Sequence, residues 1–327
     1  MRQDKRKNGL SVLFDAFDYP LSFYVLGAGA SAGIVPMTTQ LKANIVNRFI
    51  SFGSFPAESF ENDDVFLRVI GPSCDYPDAF TSWKLEQLYP SAVHAMVIKE
   101  LTPPDCIEEA HAYEIFLLIK RPTTIFNMNV DGLAEIYCIG HNLLEPHGRV
   151  PIELVRSPFW DWYIDALLDY GFSIREIPGL ILPMPEPHHV TSEPAYSKAV
   201  SLLEKARFVV FIGYSFGYFN PTQTFDDFET FEFFRELLRH YRSHRKNILV
   251  ISPNPEMVGG AIEESLSSSN VCALPFHWNY LCRAMKESIN KFRLRKFKDL
   301  KPLAYKILYM HDQLVDTRPY RDRDAHR

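Results

Sequence analysis

Four apolar, strand-favouring residues, Phe23-Tyr24-Val25-Leu26, run straight into Gly27-Ala28-Gly29-Ala30-Ser31-Ala32-Gly33, with Pro36 close behind. A helical pattern follows from about Thr39, where Leu41, Ile45, Val46, Phe49 and Ile50 share one face at a 3.6-residue period. Strand, glycine turn and helix in this order make the unit that binds nucleotides in parallel α/β proteins. Glycine lets a phosphate approach the backbone, and the helix start offers N–H groups and a positive dipole end. Ser31 adds a hydroxyl at the same place. The glycine spacing is one residue longer than G-x-G-x-x-G, and no Asp or Glu occurs between Gly33 and Glu58. A dehydrogenase needs an acid there for a ribose hydroxyl, so hydride transfer is disfavoured. Two readings stand for the turn itself: a phosphate cradle, or a tight connection between strand and helix.

Further along, the chain alternates between the two periods. Thr123–Asn129 is strand-like and ends in Asn129-Val130-Asp131-Gly132, before the helical LAEIYCIG. Phe208–Ile212 is wholly apolar, as a strand buried on both faces must be, and ends in Gly213-Tyr214-Ser215. Asn247–Ile251 ends in Ser252-Pro253-Asn254. Helical patterns cover 158–171, 193–206 and 226–242, and IPGLILP at 177–183 reads as a short strand. The expected fold is therefore α/β, a Rossmann-like parallel sheet with helices on both faces. Residues 53–120 form a largely helical insertion that could cover the site. A parallel sheet gathers the turns GAGAS, NVDG, GYS and SPN on one edge, where ligands of such folds bind.

At 327 residues, with 46% hydrophobic residues, the chain can bury a large core, and its net charge of −5 gives no general reason to expect nucleic-acid binding. The five cysteines (74, 106, 138, 272, 282) are odd in number and form no C-x-x-C pair, which argues against a disulfide framework and a structural zinc. A reducing, cytoplasmic setting is expected. The apolar run Leu10–Phe14 is too short for a signal peptide, and no membrane span is expected. The division expected is a main domain over 1–280 and a basic C-terminal extension over 281–327. In that extension eight cations between Lys286 and Lys306 face only Glu287 and Asp299. The basic stretch is either a solvated surface or a contact for a partner or nucleic acid.

GAGAS with a following proline, Asn-x-Asp-Gly at a strand end, His147-Gly148, and Gly-Tyr-Ser after an apolar strand occur in this order over residues 20–280. The set resembles the sirtuin fold family, and within it the divergent bacterial NAD-hydrolysing proteins of anti-phage defence. The resemblance implies that Gly27, Ala28, Gly29 and Ser31 line an NAD pyrophosphate. It implies that Asn129 and Asp131 lie beside the nicotinamide ribose and that His147 is the catalytic histidine. It assigns Gly213 and Ser215 to the phosphates and adenosine ribose, and Asn254 to that ribose's hydroxyls. Read alone, each has a plainer role: His147 a loop residue, Asn129, Asp131 and Ser215 helix caps.

Departures from the family narrow the function. Asn127 and Met128 stand where deacylases have Thr-Gln, Met37-Thr38-Thr39 replaces Asp-Phe-Arg, and the four zinc cysteines are absent. The resemblance thus implies NAD as a substrate without zinc, cleaved to nicotinamide and ADP-ribose with water as acceptor. The alternatives are an NAD-dependent protein deacylase and a non-catalytic subunit that senses NAD or ADP-ribose. A toxic NADase needs restraint, which implies a homo-oligomer or a partner such as an ATPase or Argonaute-type protein.

Overall fold

The computed structural model describes residues 2–36, 44, 90–105, 107, 111–170, 194–214, 228–240, 247–253 and 271–317. The expected helix at 39–52 and strand at 177–183 lie outside these residues, apart from Asn44. Six strands form one parallel sheet: β1 (Phe23–Leu26), β2 (Thr124–Asn127), β3 (Asn142–Leu144), β4 (Phe208–Ile212), β5 (Asn247–Ser252) and β6 (Val271–Pro275). Their order is β3-β2-β1-β4-β5-β6, and every pairing is parallel. This is the doubly wound Rossmann order, with its reversal point between β1 and β4.

Side-chain alternation divides the core into two layers. Tyr24, Leu26, Val210, Ile212, Leu249 and Ile251 face one side, and Phe23, Val25, Val209, Phe211 and Val250 the other. The second face is covered by α-helices at Pro194–Lys205 and Phe228–His240, through Tyr196, Leu203, Phe234 and Leu238. The first face is covered by a helix at Arg2–Asp18 (α1), one at His111–Leu117 (α2), and helices at Trp278–Phe292 (α3) and Ala304–Asp316 (α4).

Two strands, β3 and β6, are absent from the sequence expectation. Both lie at sheet edges. Asn142 is exposed, Leu143 is half-buried and only Leu144 is buried, so β3 lacks the apolar run that marks β1 and β4. The first residues form a 17-residue helix, α1. Its Leu10, Leu13, Phe14 and Phe17 are at most 1% exposed and make one stripe at helical spacing. The boundary expected at 280/281 falls inside α3, whose Leu281, Cys282 and Met285 are in the main core. Helix α2 and a helix at Pro90–Leu101 lie within the expected insertion. Among the described residues no helix is long and apolar enough to cross a membrane, and no group of three or more His, Cys, Asp or Glu could hold a metal ion.

Candidate functional site

At the β1/β4 reversal the glycine turn and the turn after β4 interlock. The Gly27 amide donates to the Ile212 carbonyl (2.9 Å) and the Gly29 amide to the Gly213 carbonyl (2.9 Å). Gly213 has φ +58°, and a Cβ there would lie 2.4 Å from the Gly29 carbonyl carbon and 2.5 Å from the Ala30 nitrogen. A Cβ on Gly27 would meet the Tyr214 Cα at 2.6 Å. All three glycines thus serve close backbone crossing, and the amides of Gly27 and Gly29 point back into the fold. Ala28 and Gly33 are the exposed residues of the turn. A short 3-10 helix, Ala28–Ala30, turns Ser31 inward, where it is 1% exposed.

Ser31 heads a buried polar chain. Its Oγ lies 2.7 Å from the Tyr113 hydroxyl and donates to Asp131 Oδ2. Asn129 Nδ2 donates to the same Tyr113 hydroxyl (3.0 Å) and to the Gly27 carbonyl (2.9 Å). A carbonyl can only accept, so the Asn129 amide is fixed with its nitrogen towards Gly27 and Tyr113. Tyr113 then accepts from Asn129 and donates to Ser31, which donates to the carboxylate. The hydrogen bonds therefore run one way, from Asn129 to Asp131. With Nδ2 spent, the carboxamide oxygen is the group Asn129 has left to offer a ligand.

The chain ends on Asp131 for a reason. The Leu133 amide donates to its Oδ1 (2.9 Å) at the start of the helix Leu133–Tyr137, whose N-cap is Gly132 at φ +76°. Of the two described residues expected as caps, Asp131 touches the first turn of that helix and the β1 turn without being the N-cap, and Asn129 bonds elsewhere. Asp131 is 2% exposed; burial pushes its pKa up to about 6, and the bonds from Ser31 and Leu133 oppose that rise. Burial also holds the Tyr113 phenol well above its ordinary value, with the Asp131 charge adding to the effect.

The sign for stability follows. Between about pH 4 and pH 6 the folded state holds a proton on Asp131 that the unfolded chain has lost, so stability falls as pH rises. Asp131→Asn has no such group. Its stability relative to wild type should improve by up to about 3 kcal/mol between pH 4 and pH 7. Urea unfolding across that range tests this, and parallel curves for the two proteins would contradict a buried, titrating Asp131.

His147 is 6% exposed on the loop after β3. The loop is tied at both flanks to the turn after β2. Asn127 Nδ2 donates to Glu145 Oε1 (3.3 Å) and to the Asn129 carbonyl (2.9 Å), while the Val150 amide donates to the Val130 carbonyl (2.6 Å). Burial raises the Glu145 pKa, while Asn127 and Arg149 oppose it. The sheet thus brings Ser31, Asn129 and Asp131 into one network, sets the His147 loop against it, and packs Gly27, Gly29 and Gly213 together. Ser215 and Asn254 lie outside the described residues. Sequence reading missed Tyr113 and Glu145. Tyr113 carried no motif, and its only signal was a place in the expected insertion.

Strand order and interlocked carboxyl-edge turns define a doubly wound, Rossmann-like α/β protein. No family model matches the sequence, and no curated protein matches it. The chain is similar to a solved Sir2 structure, a variant with a deacetylated p53 peptide and 3'-O-acetyl ADP-ribose. The similarity covers 84% of this chain and 97% of that one at 12% identity and a TM-score of 0.41. At that level the likeness is weak, and the fold class rests on the sheet itself.

Proposed function

We propose that the protein is an NAD hydrolase that cleaves the nicotinamide–ribose bond to give nicotinamide and ADP-ribose. The observation that carries the reading is the one-way chain Asn129–Tyr113–Ser31–Asp131 at the carboxyl edge. It leaves the Asn129 carboxamide oxygen for a ligand and ends on a buried carboxylate. The order of motifs along the chain, similar to that of sirtuins, supports it.

In this reading NAD lies along the carboxyl edge with its pyrophosphate over the exposed Ala28. The bond from ribose C1' to the pyridinium nitrogen breaks, and its electron pair leaves with neutral nicotinamide. Positive charge develops on the ribose, and the Asp131 carboxylate offsets it through the low-dielectric interior. The Asn129 oxygen accepts a hydrogen bond from the attacking water or from a ribose hydroxyl, without titrating itself. Water bonds to C1', and His147 accepts its proton as the general base. The activity serves anti-phage defence by depleting NAD. It is held off until self-association or a separate partner, of the ATPase or Argonaute type, releases it.

The deciding experiment follows nicotinamide released from NAD by the purified protein, with and without an acetyl-lysine peptide. Release without peptide is expected. Release only with peptide would make the protein a deacylase, and tight NAD binding with no release would make it a sensing subunit. An isolated monomer with constant high turnover would contradict the proposed restraint.

A further inference from the structure

Away from the carboxyl edge, two basic segments far apart in sequence meet on one face. Residues 291–298, Lys-Phe-Arg-Leu-Arg-Lys-Phe-Lys, hold five cations and no acid, in a chain whose net charge is −5. Lys291, Arg293, Arg295, Lys296 and Lys298 are all exposed. They are not on a loose tail. Phe297 (3% exposed) and Leu300 (0%) anchor the segment in the core, and Asp18 of α1 accepts from the backbone amides of Phe297 (3.2 Å) and Lys298 (2.8 Å).

The fold then lays the basic start of α1 along α4. Lys7 Nζ sits 4.3 Å from the centre of the Tyr305 ring, and Tyr305 donates to Asp4 (3.0 Å). Lys306 Nζ sits 4.6 Å from the centre of the Phe292 ring, joining α4 to the end of α3. Two cations of this region are neutralised, Lys301 by Asp15 (2.7 Å) and Arg6 by Asp312 (2.7 Å). Lys5, Lys7 and Lys306 remain to extend the positive strip. From Lys7 to Asp18, α1 runs about 16 Å, long enough for several backbone phosphates. Three rings are interleaved with the cations: Phe292 (43% exposed), Tyr305 (47%) and Tyr309 (66%).

We propose that this face binds single-stranded nucleic acid. Rigidly held cations at intervals match a polyphosphate backbone, and each contact releases condensed counterions. Exposed aromatic rings among them favour unpaired bases over an acidic protein or a duplex, because stacking needs an open base face. Tyr309, the most exposed of the three, is the principal stacking group.

The test is fluorescence anisotropy of a labelled 20-nucleotide single-stranded DNA with the full-length protein. Binding is expected at 50 mM salt. Four phosphate contacts predict a loss of about 50-fold in affinity at 200 mM. Arg295→Glu/Lys298→Glu/Lys306→Glu should abolish binding. The charge-neutral Arg295→Gln/Lys298→Gln/Lys306→Gln, which places no new acid beside Asp18, should weaken it at least 10-fold and flatten the salt slope. Tyr309→Ala should weaken binding about 5-fold or more and leave the slope unchanged. No binding at 50 mM salt, or binding retained in both charge variants, overturns the proposal. So does tighter binding to a duplex of the same sequence, to polyglutamate or to phosphatidylserine vesicles, or insensitivity to Tyr309→Ala.

Discussion

Asn129→Ala should slow nicotinamide release by about 10²- to 10³-fold, the usual cost of removing one aimed polar group from a reacting centre. The fold should survive. Asn129 is half-buried, so water can reach part of what it leaves. Losing its bonds to Gly27 and Tyr113 costs about 1–2 kcal/mol, a few degrees in melting temperature for a chain of this size. NAD affinity should change much less than turnover, because the lost contact is to the water or hydroxyl and not to the pyrophosphate. His147→Ala should cost about 10²- to 10⁴-fold in turnover. An Asn129→Ala enzyme with wild-type turnover would sink the assigned role. A loss of turnover matched by an equal loss of folded protein would make the residue structural.

The largest effect on stability is expected at Gly213. An alanine there must adopt φ +58° and place its Cβ against backbone of Gly29 and Ala30 on the neighbouring turn. Neither partner is a side chain that can swing aside. The cost should reach at least about 4 kcal/mol, a fall of roughly 8 °C or more in the thermal midpoint. Gly140 is the internal control. It also has positive φ (+85°), but nothing lies within 4 Å of an added Cβ. Gly140→Ala should cost only about 1 kcal/mol. Equal effects of the two substitutions, measured by urea unfolding, would mean that the β1 and β4 turns do not interlock as described.

The interlock explains why the sheet was legible in the sequence and part of the site was not. Phe23–Leu26 and Phe208–Ile212 are buried on both faces, so no polar residue interrupts them, and glycine must follow each. Burial and close approach wrote themselves into residue type. The same glycines read as a phosphate cradle, yet the amides of Gly27, Gly29 and Gly213 are all used within the fold, a distinction that depends on where an N–H points. Asn129 and Asp131 stood out because they close a strand, at the sheet edge where ligands of such folds bind. Tyr113 did not, because a tyrosine on an amphipathic helix looks like any core aromatic until its hydroxyl is placed 2.7 Å from Ser31. The edge strands β3 and β6 escaped because edge positions demand so little of composition. Lys286, read only as one of a basic run, instead bonds to Glu114 and ties α3 to the helix that carries Tyr113.

Helix α1 is made well before several of the segments that cover it. Its partners include the Phe297–Leu303 turn and α4, and the Asp18–Lys298 bond spans 280 residues of chain. At ribosomal speeds of about 5–20 residues per second, the wait is roughly 15–60 s. During it the Leu10–Phe17 stripe lacks the part of its cover that Phe297, Leu300 and α4 supply. The glycine turn begins only nine residues after α1 and shares its core. The turn that carries Ser31 therefore gains its full packing only after synthesis has passed Leu308.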